Sequence, residues 1–95
     1  MRKRLDYKVP GGKLIRAEIE MEGDRVLRVF VRGDFFAHPE EIFEAAEAQL
    51  AGLRGDELAL AAHRVFSRSD LRLFGVTAEA IADTLGRTLD APSAP

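Results

Sequence analysis

The 95-residue sequence contains no cysteine. That absence excludes disulfide staples, thiolate zinc sites, iron–sulfur ligation and cysteine nucleophiles. No apolar run approaches the ~18 residues that a transmembrane helix needs. No hydrophobic signal-peptide segment follows the basic start Met1-Arg2-Lys3-Arg4. Both absences point to a soluble, cytoplasmic protein with no membrane partner. Internal repeats and linkers are also missing, so residues 1–90 read as one domain and Ala91-Pro92-Ser93-Ala94-Pro95 as a frayed, disordered tail. What is present is globular in kind: 46% hydrophobic and 32% charged residues. A chain of this size buries roughly 60–65% of its unfolded surface, enough for one modest core but leaving little room for a deep catalytic cleft.

Catalytic and metal motifs are lacking too. His38 and His63 stand far apart and show no metal-ligand spacing with another His, Asp or Glu. Pro10-Gly11-Gly12-Lys13 lacks the spacing of a phosphate-binding P-loop and lies between two strands, where hairpin formation alone explains its glycines. Glu40, Glu41, Glu44 and Glu47 read as a solvated helix face, and Ser67, Ser69 and Thr77 have no neighbouring base. Alone, the chain reads as a non-enzyme without metal or bound cofactor.

Charge is unevenly spread. Residues 1–33 carry nine Lys/Arg against five Asp/Glu, a balance of +4, whereas residues 34–95 carry five against eleven, a balance of −6. The overall charge of −2 argues against a nucleic-acid partner. So do Glu18 and Glu20 in the middle of the basic part.

The first third alternates with period two. Leu5, Tyr7 and Val9, then Ile15, Ala17, Ile19 and Met21, then Leu27, Val29 and Val31 interleave with charged residues. Three strands joined by Gly-containing turns predict an antiparallel meander. Keeping the apolar faces together requires odd loops. The register drawn from that rule sets Val9 opposite Ile15, Tyr7 opposite Ala17 and Leu5 opposite Ile19. In the second hairpin it sets Met21 opposite Leu27, Ile19 opposite Val29 and Ala17 opposite Val31. The charged face then carries the rows Arg4–Glu20–Arg28, Asp6–Glu18–Phe30 and Lys8–Arg16–Arg32.

From Asp34 the period becomes helical. Pro39 suits a first helical position, with Ile42, Phe43, Ala46, Leu50 and Leu53 as the apolar stripe and Gly52 or Gly55 as the stop. Asp56 is placed to cap a second helix carrying Leu58, Ala61, Ala62, Val65 and Phe66, and Thr77 a third carrying Ile81, Leu85 and Leu89. Around Leu71, Leu73 and Phe74 the pattern allows either a short strand or an extended connector. The predicted fold is therefore α+β: a three-stranded antiparallel meander packed on one face by about three helices, with room for one extra short strand.

Three cations abreast are unfavourable. One reading has Lys8, Lys13, Arg16 and Arg32 facing a phosphate, adenylate, carboxylate or acidic partner, helped by backbone amides of the Pro10–Lys13 turn. The other has water and Asp34 solvating side chains that splay apart. Phe35-Phe36 follow the strand end directly. Adjacent rings in a turn cannot both point one way, so one packs under the helix while the other joins a contact patch; alternatively, both seal the junction.

Several segments carry a resemblance. Lys8-Val9-Pro10-Gly11-Gly12-Lys13-Leu14-Ile15-Arg16, then Gly33-Asp34-Phe35-Phe36 and Pro39-Glu40-Glu41, then Leu50-Ala51-Gly52-Leu53 and Gly75-Val76-Thr77, resemble the C-terminal accessory domain of lipoate–protein ligases over nearly the whole chain. The resemblance implies the separate small subunit of a two-component ligase. The implied partner is the large catalytic subunit, which would hold lipoate, ATP and Mg, make lipoyl-adenylate and pass lipoate to a lysine of an acceptor protein. No catalytic residue of the family maps onto this chain. The Gly11, Gly12, Gly33, Asp34, Phe35 and Phe36 loops are then the expected interface. A stand-alone anion or small-molecule binding module is the alternative.

Overall fold

A computed structural model describes residues 1–94. The alternating segments form strands β1 (Arg2–Lys8), β2 (Leu14–Glu22) and β3 (Arg25–Gly33), paired antiparallel in the order β3-β2-β1. Ile15, Ala17, Ile19, Met21, Val29 and Val31 are buried on one face, as alternation requires. Against that face lie α1 (Glu40–Ala48) along β3 and α3 (Ala78–Leu89) across β1 and β2. Helix α2 (Leu58–Phe66), entered through a single 3-10 turn at Gly55–Glu57, packs on both. Among the described residues, no helix lies on the opposite face of the sheet. The α+β architecture is thus the predicted one.

The register differs from the predicted one. In the first hairpin Tyr7 faces Ile15, Leu5 faces Ala17 and Lys3 faces Ile19, a shift of two residues. The cause is a tight turn in which Gly12 N–H donates to Val9 C=O (2.8 Å) with Pro10 and Gly11 at its centre. Gly11 adopts φ +71, the positive value that the residue after proline needs in such a turn. This loop is odd, as predicted, so the apolar side chains still point inward. Lys3 now occupies an inward position and reaches the carbonyl oxygen of Leu89 at the C-terminal end of α3, a favourable place for a cation.

In the second hairpin only the pairs beyond the turn are as expected. Ile19 faces Val29 and Ala17 faces Val31, but Met21 faces Val26, not Leu27. The Gly23-Asp24 loop has two residues, an even number, and a β-bulge between Glu20 and Met21 absorbs the mismatch. Val26 consequently takes the core position at 0% exposure and Leu27 is 47% exposed.

Smaller corrections concern the helix ends. Pro39 is the N-cap of α1, one position before its predicted place, and its peptide bond to His38 is cis. Leu53 lies beyond the helix and offers its carbonyl to Val26 N–H (2.7 Å). Asp56 does not cap α2; it pairs with Arg54, while the Glu57 carboxylate accepts from Arg54 N–H. Thr77 caps α3 as predicted, its hydroxyl accepting from Ala80 N–H (3.0 Å).

Two short strands, β4 (Phe36–His38) and β5 (Arg72–Phe74), form a separate antiparallel ribbon. Phe36 therefore leaves the predicted turn for a strand, and of the undecided residues around Leu71, Leu73 and Phe74 the strand takes Arg72–Phe74 while Leu71 lies before it. At the C-terminus, Ser93–Ala94 form β6 and pair with Lys3 and Arg2, so the tail up to Ala94 is laid against β1 where a disordered segment is predicted; Pro95 lies outside the described residues. No helix among the described residues is long and apolar enough to cross a membrane.

Candidate functional site

The loops that connect the elements gather at one end of the sheet: the Pro10–Lys13 turn, the Gly33–Phe35 segment leading into β4, and the Gly75–Thr77 segment leaving β5. Gly33 is required here by close approach, because a Cβ at this position would overlap the Leu14 carbonyl oxygen. That contact lets Asp34 N–H donate to the same carbonyl (3.0 Å), turning the chain off β3 and toward α1. The Gly75 α-carbon sits beside Asp34, Phe35 and the Lys13 stem. The predicted loop residues Gly11, Gly12, Gly33, Asp34, Phe35 and Phe36 are thus all found at this end.

The predicted cations divide into two groups. Arg16 and Arg32 are directly opposite each other on the helix-free face. Lys8 is on the same face but opposite Leu14, and its ammonium donates to the Gly12 carbonyl. Lys13 lies apart from them, beside Gly75 and Val76, where a cleft of about 310 Å³ runs toward the first turn of α3. The row Lys8–Arg16–Arg32 does not form.

The two-residue shift removes the repulsion that row implied. β1 now sets Arg2 opposite Glu20, Arg4 opposite Glu18 and Asp6 opposite Arg16, each an opposite-charge pair. Such pairs contribute about 0.2–1 kcal/mol each, whereas like charges at the same positions oppose the sheet. Arg2 bridges to Glu18 (3.0 Å), Arg28 to Glu20 (3.0 Å) and Arg16 to Asp6 (4.0 Å). Arg28 and Arg32 also lie over the Phe30 ring at 5.0 and 5.8 Å. With these partners, an anion is no longer needed to explain the cations.

Glu47 departs furthest from its predicted place. It is not on a solvated face but 7% exposed, between α1 and the free edge of β3. Its carboxylate accepts from Val31 N–H (2.7 Å) and from the Arg32 guanidinium (3.0 Å), and the same guanidinium donates to Val31 C=O (2.7 Å). Burial pushes the Glu47 carboxyl above the usual carboxylate range; the Val31 amide and Arg32 pull in the opposite direction but do not outweigh it. A signal for this existed in the sequence: position 47 follows Phe43 by four and precedes Leu50 by three, inside the apolar stripe.

The two adjacent rings diverge, the first of the two arrangements the sequence allows. Phe35 turns inward, its ring centroid 5.9 Å from that of Phe43, which in turn lies 5.0 Å from Phe66 in the core. Phe36 is 78% exposed. The β4–β5 register places Phe74, 53% exposed, directly opposite it, a neighbour that the sequence reading does not pick out. Beside this pair a second cleft of about 310 Å³ has Phe35, Ala37 and Phe43 among its apolar lining and Arg32, Glu40 and Glu44 at its charged rim. His38 and His63 are both exposed, and no group of three His, Asp or Glu among the described residues is arranged to hold a metal ion.

One solved structure has a closely similar backbone. It comes from a study of an archaeal lipoylation system of Thermoplasma acidophilum, described as a bipartite lipoate protein ligase and its E2 lipoyl domain. The match has a TM-score of 0.68 and 24% sequence identity, and covers 90% of this chain and 92% of the other. At that identity it establishes the shared fold. No protein-family model and no curated protein matches the sequence.

Proposed function

We propose that the chain is the non-catalytic accessory subunit of a two-component lipoate–protein ligase, acting with a large catalytic subunit in the ATP-dependent activation of lipoate to lipoyl-adenylate. Transfer to a lysine of an acceptor protein would follow on the large subunit, which would also hold lipoate, ATP and magnesium. A cytoplasmic location goes with this reading. The observation that carries it is the near end-to-end likeness to a chain from a bipartite ligase system, over 90% of one and 92% of the other. The run of resembling segments adds to it, since its Pro10–Lys13, Gly33–Phe36 and Gly75–Thr77 parts converge at one end of the fold.

Chemistry on the chain itself supports a helper role more than a catalytic one. The clefts at this end are about 310 Å³ each, and neither is lined by a histidine, cysteine or serine. The stand-alone anion-binding alternative rests on an unrelieved cation row, whereas Arg16 pairs with Asp6 across the strands and Arg32 with Glu47 of α1.

The test is reconstitution. The chain and the large ligase subunit encoded in the same genome are purified separately, and ATP-dependent lipoyl-adenylate formation is measured with each alone and with both. Adenylate formation that requires both is the expected result. A large subunit that activates lipoate equally well without the chain would overturn the reading.

A further inference from the structure

Most exposed apolar side chains on this molecule are isolated, but Phe36 and Phe74 are not. They face each other across the β4–β5 ribbon, 78% and 53% exposed, while the alternate residues Ala37 and Leu73 turn inward to the core. Two exposed phenylalanines at paired positions are a large apolar surface for a chain of this size, and rings of this kind dominate protein interfaces when covered. The patch continues into the cleft against α1, where Phe35 and Phe43 offer further apolar wall.

The charged rim of that cleft gives the site a sign. Arg32 is held by Glu47 at 3.0 Å, so its charge is offset locally. Glu40 and Glu44 are exposed and form no ion pair among the described residues. Arg72 is exposed at the other end of the ribbon, opposite His38. The surface is therefore apolar at Phe36 and Phe74 and carries the carboxylates of Glu40 and Glu44 along α1, with Arg72 at the His38 end that leads into that helix.

We propose that the Phe36–Phe74 pair and the adjoining cleft form the docking seat for a protein segment that presents an apolar side chain flanked by lysine or arginine, the cation lying toward Glu40 and Glu44. This rests on the accessory-subunit reading, which makes the large catalytic subunit the carrier of that segment. The apolar contact supplies most of the affinity, and the acidic rim fixes the orientation of the partner.

Binding of the full chain to the purified large subunit is measured by titration calorimetry at 50 mM and 500 mM salt, with adenylate formation assayed in parallel. Phe36→Ser combined with Phe74→Ser weakens binding at least about tenfold. Glu40→Gln combined with Glu44→Gln weakens it by about threefold or more at low salt, and the difference shrinks at high salt. Leu60→Ser, at a 70% exposed position on α2, leaves it unchanged. Unchanged binding by either double variant, with wild-type stimulation of adenylate formation intact, overturns the docking proposal and spares the accessory role. A wild-type chain that neither binds nor stimulates overturns both. If the phenylalanine variant instead abolishes self-association of the chain and leaves the large subunit bound, the occupant is a second copy and the proposal is wrong.

Discussion

The helix-free face of the sheet and the β4–β5 ribbon are both open to solvent, but they differ in how far their groups are satisfied within the chain. On the sheet, Arg2, Arg16 and Arg28 are each within 4.0 Å of a carboxylate, and Phe30 is covered by two guanidinium groups. On the ribbon, Phe36 and Phe74 stand opposite each other with 78% and 53% of their surface exposed. The comparison teaches that a conspicuous cluster of charge is weak evidence for a ligand when its counter-charges lie on the neighbouring strand. Exposed apolar surface has no comparable local remedy.

The comparison can be broken at its edge, on its face and on the ribbon. The largest effect is expected where the face meets α1. Glu47→Ala leaves the Val31 N–H without its acceptor, and unfolding by urea should show a loss of about 1–3 kcal/mol. Because burial holds the Glu47 carboxyl above its ordinary value, the folded state keeps this proton to higher pH than the unfolded state does. Its contribution to stability therefore declines as pH rises from the ordinary carboxylate value through the raised one. Glu47→Gln should remove that decline from the urea midpoint measured between pH 4 and 7; an unaltered pH profile would refute the assignment.

On the face itself, Asp6→Arg would set three cations side by side with Arg16 and Arg32. The expected cost is about 1 kcal/mol at low ionic strength, largely recovered in 1 M salt. Arg16→Ala should cost less than Asp6→Arg, because it removes an exposed pair at 4.0 Å without adding a like charge; an equal or larger loss would mean that Arg16 does more than pair with Asp6. Phe36→Ser with Phe74→Ser should be the mildest of all for folding, within about 0.5 kcal/mol of wild type by thermal unfolding. A larger loss would mean that the rings support the ribbon and are not free for a partner.

Much of this was legible in the sequence. Alternation at Ile15, Ala17, Ile19 and Met21 was enough to place the sheet's buried face, because a one-residue slip would expose all of them. Thr77 announced α3 through the need of its first amides for an acceptor. Parity, however, cannot separate registers two residues apart, and the predicted register differs from the observed one by that amount. Charge could have decided it: the predicted register put Asp6 against Glu18 and Lys8 against Arg16, whereas the observed one pairs opposite charges at Arg2, Arg4 and Asp6. The bulge was beyond reach of alternation, because it exists to reconcile a two-residue loop with strands that demand an odd one. Phe74 was hidden for a different reason. Its neighbour across the ribbon is 38 positions away in the chain, and β5 has only three residues, too few to show a period.

The arrangement around Val31 has a consequence for how the polypeptide behaves by itself. A border strand with bare amides invites other chains to add onto it. Here that invitation is withdrawn at both ends of β3: Val26 is bonded through main chain to Gly52 and Leu53, and Val31 is bonded through the Glu47 and Arg32 side chains. On that border the fold thereby resists strand addition without help from any companion.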